Sequence, residues 1–238
     1  MCGKMGSRTR EIIQAAMSED RQSLLEAEAK QICADYGMSV PSFELARTAE
    51  EACNAASKLG FPVVLKIVSK DILHKTDAGG VLLNIKSLSD TGQGFSRILM
   101  NAKQYDPKAE IEGVLVQKMM PQSTEVIIGG LIDPQFGQTL MFGLGGIFVE
   151  ILRDVTFRIA PITEQDARQM IHEISAYPIL KGYRGQSPAD EEVLVYMMLK
   201  ASDLVMENPE INQMDLNPVM IYEKGASIVD ARMLLRNP

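Results

Sequence analysis

His74 lies in the run Leu65-Lys66-Ile67-Val68-Ser69-Lys70-Asp71-Ile72-Leu73-His74-Lys75-Thr76-Asp77-Ala78-Gly79-Gly80-Val81, between two strand-like stretches, and is one of 2 histidines in the chain. The residue types around it suit phosphate chemistry. Lys66, Lys70 and Lys75 supply positive charge, the pair Gly79-Gly80 lets backbone N–H groups approach an anion closely, and a neutral ring nitrogen can attack phosphorus. This combination points to phosphoryl transfer through the imidazole. A plainer reading stands beside it, in which His74 is an exposed turn residue. Lys66 is open in the same way: it either aims its ammonium at a nucleotide phosphate from a rigid strand or snorkels from an edge strand.

The second informative region is Met214-Asp215-Leu216-Asn217-Pro218-Val219-Met220-Ile221-Tyr222, a turn at Glu223-Lys224-Gly225, and the run Ala226 to Met233. A hairpin centred between Glu223 and Lys224 sets Asn217 opposite Asp230 and Asp215 opposite Arg232, all four on one face. Asn217 and Asp230 then offer an amide and a carboxylate oxygen from a rigid strand pair, hard ligands suited to Mg²⁺ that keeps waters and takes nucleotide phosphates. The alternative is a strand-end turn at Asn217-Pro218 with a surface ion pair between Asp215 and Arg232.

These groups need elements to hold them. Glu19 to Tyr36 has helical period and Gly37 can close it. Val40 to Ala46 reads as extended, and Thr48-Ala49-Glu50-Glu51 as a capping box opening a helix that stops at Gly60. Phe61 to Val68, Val81 to Lys86, Gly113 to Lys118, Glu125 to Ile132 and Gln138 to Phe142 read as strands, with a helix around Gly94 to Lys103. Thr163 to Ser175 is amphipathic, with His172 a solvated residue beside its apolar stripe, and Ser187-Pro188 caps a helix to about Met206. Gly143-Leu144-Gly145-Gly146 is read as a tight turn before Ile147-Phe148-Val149-Glu150. Short turns between strand pairs favour mixed or antiparallel sheets in two α/β lobes. The expected division is a tail at residues 1–18, a first lobe at 19–116 and a second at 117–238.

The 238 residues are 46% hydrophobic with a formal net charge of −7, which argues against nucleic acid as the main partner. Cys2, Cys33 and Cys53 lack metal-ligand spacing, so they read as packing or tail residues in a reducing compartment. Charges interrupt every apolar stretch before a membrane span is reached, and no secretion signal is evident. The expectation is a soluble cytoplasmic protein.

Taken together, the chain from Glu19 to Leu235 resembles the ATP-grasp superfamily, and within it the β subunits of ADP-forming acyl-CoA synthetases of the acetate–CoA ligase type. The likeness is carried by Tyr36-Gly37-Met38-Ser39-Val40-Pro41, Phe61-Pro62-Val63-Val64-Leu65-Lys66, the histidine segment Leu73 to Val81, Phe142-Gly143-Leu144-Gly145-Gly146 and Met214-Asp215-Leu216-Asn217-Pro218. The resemblance implies an ATP-grasp fold whose two lobes clasp ATP or ADP. It implies that Lys66 contacts phosphate, that Gln117, Lys118 and Met119 face adenine, and that Glu125 meets the ribose. The usual carboxylate of the adenine segment is replaced by Gln117. It further implies that Asn217 and Asp230 bind Mg²⁺, and that His74, with Asp215 orienting its ring, relays a phosphoryl group. The donor would be a phosphohistidine on a CoA-binding α subunit in an α2β2 heterotetramer. Two other readings are a carboxylate–amine ligase with a free acyl phosphate, and a non-catalytic nucleotide-binding regulatory module.

Overall fold

The computed structural model describes residues 5–72, 74–146, 149, 152–183 and 187–236. In chain order the described elements begin with α1 (Met5–Ser18), α2 (Glu26–Asp35), β1 (Phe43–Ala46), α3 (Ala49–Leu59), β2 (Val63–Ser69) and β3 (Val81–Ile85). There follow α4 (Leu88–Tyr105), β4 (Ile111–Lys118), β5 (Thr124–Asp133), β6 (Gly137–Leu144) and β7 (Val155–Ile159). The last are α5 (Glu164–Glu173), α6 (Tyr177–Leu180), α7 (Glu191–Glu207), β8 (Ile211–Ile221), β9 (Ala226–Ile228) and β10 (Ala231–Leu235).

The chain divides into two compact units, one of Leu25–Ala27 with Pro41–Pro121, the other of Met1–Leu24, Glu28–Val40 and Gln122–Pro238. The first is a four-stranded antiparallel sheet in the order β1-β4-β2-β3. Alternation decides which side chains meet its helices: Val63, Leu65 and Ile67 of β2 and Val114 and Val116 of β4 join Ala52, Ala56, Phe95 and Ile98 of α3 and α4 in one core. Val64, Lys66 and Gln117 therefore lie on the opposite face. Helix α3 begins where the spacing predicts: Thr48 Oγ1 accepts from the Glu51 N–H at 3.1 Å. Glu51 reaches back one residue further than a capping box requires, accepting from the Arg47 N–H at 2.6 Å.

The second unit is a six-stranded antiparallel sheet, β10-β8-β5-β6-β7 with β9 also paired to β8. Helix α7 lays Leu194, Met197, Met198, Ala201 and Leu204 into its core, together with Ala167, Met170 and Ile171 of α5 and Ile13, Ala16, Ala29 and Ile32 of α1 and α2. Burying a Leu, Ile or Met side chain there stabilises by about 1.5–3 kcal/mol before entropy is counted. Cys33 sits in this core, where burial pushes its thiol up to about 12. It is a packing residue, as its spacing suggests.

Several boundaries differ from expectation. Residues 5–18, read as tail, form α1 with Thr9, Ile13 and Ala16 buried, and they group with the C-terminal unit. The helix expected from Glu19 starts at Glu26, and the chain crosses between units after Pro121 rather than at 116. Asp190, not Ser187, caps α7, its Oδ1 accepting from the Val193 N–H at 3.2 Å. Strand β7 and the short α6 were not foreseen. Among the described residues no helix is long and apolar enough to cross a membrane.

Candidate functional site

Lys66 projects from the middle of β2 and is 3% exposed. Burying an ammonium requires a partner, and that partner is Glu26, the first residue of α2, whose Oε1 lies 2.7 Å from Lys66 Nζ. The second carboxylate oxygen takes Lys75 Nζ at 2.5 Å. Glu26 thus joins a strand lysine to the lysine next to His74. Sequence reading missed it because partners 40 and 49 residues apart leave no local pattern. Lys70, the third lysine near His74, pairs with Glu110 instead.

The loop between β2 and β3 is fastened by its own backbone. The Gly80 N–H donates to the Lys75 carbonyl at 2.7 Å, the Ile67 N–H to the Gly80 carbonyl at 2.7 Å, and the Gly79 N–H to the Thr76 carbonyl at 3.0 Å. Both glycine N–H groups are therefore spent inside the loop. The phosphate cradle expected of Gly79-Gly80 is corrected: these glycines are required sterically. A Cβ on Gly80 would stand 2.4 Å from Ile67 Cγ2 and 3.0 Å from the Lys75 carbonyl, and Gly79 has φ +58°. His74 itself is exposed. Leu73, before it, lies outside the described residues, as do Ile147, Phe148 and Glu150 after the glycine turn.

At the exit of β4, Gln117 is fully buried on the sheet face that carries Lys66. Lys118 points the other way, its Nζ donating to the Gly60 carbonyl at 2.7 Å and the Phe61 carbonyl at 3.1 Å. Its side chain serves the end of α3, so what it can offer a ligand is backbone. The Met119 N–H donates to the Pro62 carbonyl at 3.1 Å.

In the other unit the hairpin has the expected register: Asp215 faces Arg232, Leu216 faces Ala231, and the Asn217 N–H donates to the Asp230 carbonyl at 3.2 Å. Asp215 Oδ1 and Arg232 Nε are buried without a hydrogen-bond partner among the described residues. The Asp215 carboxyl is held above the usual range by burial and by the charge of Asp230, against the pull of Arg232. Glu125, exposed near the start of β5, lines an open pocket of about 630 Å³ with Gln122, Gly145, Ser187, Tyr222 and Glu223. His172, on α5, has its Nε2 2.8 Å from Glu191 Oε1 and remains half exposed.

Residues 15–235 match the ATP-grasp domain family. The chain belongs to the ATP-grasp family. This ATP-grasp chain is 51% identical over 229 residues to Acetate–CoA ligase (ADP-forming) I subunit beta of Pyrococcus furiosus, covering 96% of this chain and 98% of that protein. It is similar, with 50% identity and TM-score 0.94, to Ca. Korarchaeum cryptofilum dinucleotide forming acetyl-coenzyme A synthetase 1 in complex with coenzyme A, Ca-AMPCP and HgCl+. That match covers 96% of this chain and 100% of the other. A second structure of that synthetase, with coenzyme A and Mg-AMPPCP and its phosphohistidine segment pointing towards the nucleotide binding site, matches over the same shares at 46% identity and TM-score 0.85.

The ATP-grasp hairpin fits a divalent cation chemically. It presents two neighbouring carboxylates, Asp215 and Asp230, and the amide of Asn217, with one oxygen of Asp215 buried without a hydrogen-bond partner among the described residues. Carboxylate and amide oxygens are ligands of the kind Mg²⁺ takes beside waters and phosphate oxygens. The same burial predicts a stability cost for the charge of Asp215. Asp215→Asn should raise the thermal midpoint of the metal-free protein by about 2–4 °C, the change that about 1 kcal/mol gives at this size. Calorimetry in a chelator measures it, and a lowered midpoint would show that the carboxylate stabilises the fold.

Proposed function

We propose that this chain is the nucleotide-binding β subunit of an ADP-forming acyl-CoA synthetase, in which His74 relays a phosphoryl group between a phosphohistidine on a CoA-binding α subunit and ADP. The observation that carries the proposal is an exposed imidazole beside hydrogen bonds and an ion pair at Lys75, Gly79 and Gly80, in a chain half identical along its length to a β subunit of such a ligase. Overall, acyl-CoA, ADP and phosphate become the free acid, CoA and ATP.

Two displacements suffice. In the first, a ring nitrogen of His74 attacks the phosphorus of the donor phosphohistidine, and the old P–N bond breaks as the new one forms. In the second, a terminal phosphate oxygen of ADP attacks that phosphorus, and the bond to His74 breaks, returning the neutral ring. Lys66 holds nucleotide phosphate, with Gln117 and the backbone of Lys118 and Met119 at the base and Glu125 at the ribose. Asp215 orients the imidazole. Asn217 and Asp230 hold Mg²⁺, which supplies charge neutralisation to the phosphates when bound. The α subunit brings the CoA and acyl chemistry, in an α2β2 assembly. The setting is the cytoplasm, in keeping with the free thiols of Cys33 and Cys53.

The test is to combine the chain with its α subunit, acyl-CoA and radiolabelled phosphate. Acid-labile label is expected on His74, and added ADP should chase it into ATP. ATP formation with no label ever resident on this chain would overturn the relay.

A further inference from the structure

We infer that Arg232 is a catalytic residue of the phosphoryl relay, its guanidinium binding the phosphoryl group of the phosphorylated imidazole while Asp215, its cross-strand partner, takes the ring N–H. The inference rests on the relay just described and adds to it a cation that belongs to neither the nucleotide nor the ion.

Alternation places the two side chains. Met214 and Leu216 of β8 and Ala231 and Met233 of β10 are buried in the core against the helices. Asp215 and Arg232 therefore project from the opposite face of the sheet, beside Asn217 and Asp230 of the same strand pair. Opposed side chains on such a face begin about 5 Å apart. Both residues are partly buried, yet Asp215 Oδ1 and Arg232 Nε have no hydrogen-bond partner among the described residues. An ion pair that served only the fold would close these two atoms on each other. Leaving buried charged groups unsatisfied is costly, so the pair is arranged for a third group.

A phosphorylated imidazole has the matching halves. When a neutral ring attacks phosphorus through one nitrogen, the other nitrogen keeps its N–H, so the phosphorylated ring is an imidazolium. Asp215 accepts that N–H, and Arg232 donates to the phosphoryl oxygens, for which a planar, permanently charged guanidinium is suited. In the second step a terminal oxygen of ADP bonds to phosphorus as the P–N bond breaks. The electron pair of the broken bond stays on the ring nitrogen, which returns the ring to neutrality. No proton moves in either step. Arg232 meets the charge spread over the phosphoryl oxygens while both bonds are partial.

The experiment uses full-length Arg232→Ala and Arg232→Lys variants with the α subunit, acyl-CoA and labelled phosphate, followed by a chase with ADP. Labelling of this chain and its discharge to ADP should both slow about 100–1,000-fold in Arg232→Ala, the scale of losing one preorganised donor to developing charge. The Kd for ADP should move less than about threefold, because ground-state nucleotide binding is not what is lost. Arg232→Lys keeps the charge without the fork and should fall between Ala and wild type. Dilute guanidinium should speed Arg232→Ala and leave the wild type unchanged, a response that a counter-ion needed only by the fold would not give.

A thermal melt shows whether Arg232→Ala is folded, and Arg232→Lys carries the test if it is not. Wild-type labelling and discharge in the folded variant, a loss confined to ADP affinity, or no response to guanidinium would overturn the inference. A wild-type chain that takes no label would instead sink the relay. Calorimetric titration with inorganic phosphate would then still report on Arg232: its affinity should fall at least about tenfold in Arg232→Ala, and equal affinities would remove the guanidinium from any phosphoryl site.

Discussion

Replacing His74 by Ala is expected to lower ATP formation by at least about four orders of magnitude, the scale of losing a covalent nucleophile, with little change in fold or ADP binding. The separation of effects follows from exposure. The imidazole is exposed, and the described bonds that hold the loop run through the Lys75 and Asn101 side chains and through backbone groups, the His74 carbonyl among them, which alanine keeps. Surface substitutions of this kind cost within about 0.5 kcal/mol. The measurement is coupled ATP synthesis with the α subunit present, beside ADP titration and a thermal melt of the variant. A carboxylate–amine ligase using free acyl phosphate would keep its activity without the imidazole, and a regulatory module would have none to lose. Retained turnover in the variant would therefore remove the covalent scheme.

Lys66→Met is expected to be the most costly substitution for stability and affinity together. Methionine fills much of the volume, but Glu26 loses an ammonium partner in a site where both side chains are 4% exposed. Removing one member of a buried pair costs about 3–5 kcal/mol, and the remaining bond to Lys75 should hold the loss near the lower end. ADP affinity should fall at least about tenfold, as expected for a charge-assisted phosphate contact worth about 1.5–3 kcal/mol. Adding Glu26→Leu separates the two effects, because deleting both charges should recover part of the stability and none of the affinity. Denaturant unfolding and calorimetric titration read them out. Unchanged ADP binding in Lys66→Met would remove Lys66 from the phosphate site.

Elements with strong local signals were legible in the sequence. Thr48 and Gly60 bracket α3, and Thr163 opens α5 with a reciprocal capping box to Asp166. The hairpin register, with Asp215 against Arg232, followed from turn position and alternation alone. Helix α1 escaped because its buried stripe is made of Thr9, Ile13 and Ala16, small or weakly apolar residues interleaved with Arg8 and Arg10. Strand β7 alternates in sequence, but its Phe157 and Ile159 are exposed on an edge strand, so hydrophobicity marked no buried face. His74, Lys66, Asn217 and Asp230 stand out in the sequence as candidates by type and spacing. Glu26 does not, because its role exists only after β2 and the following loop have folded beside the start of α2. The glycine pair misled for a related reason: sequence shows that a backbone can come close, not which carbonyl its N–H will meet.

The hairpin of β8 and β9 also has a practical use. Its tip at Lys224 is exposed, and the pairing of Val219 with Ile228 through Ile221 with Ala226 is complete before the tip is reached. A peptide epitope or fluorophore grafted at the tip would lengthen the turn without altering which side chains face each other below it. A single-residue deletion inside Asn217 to Ile221 would instead rotate every alternate side chain by half a turn. Grafting at Lys224 therefore offers an attachment point on the same ribbon that leaves its pairing intact.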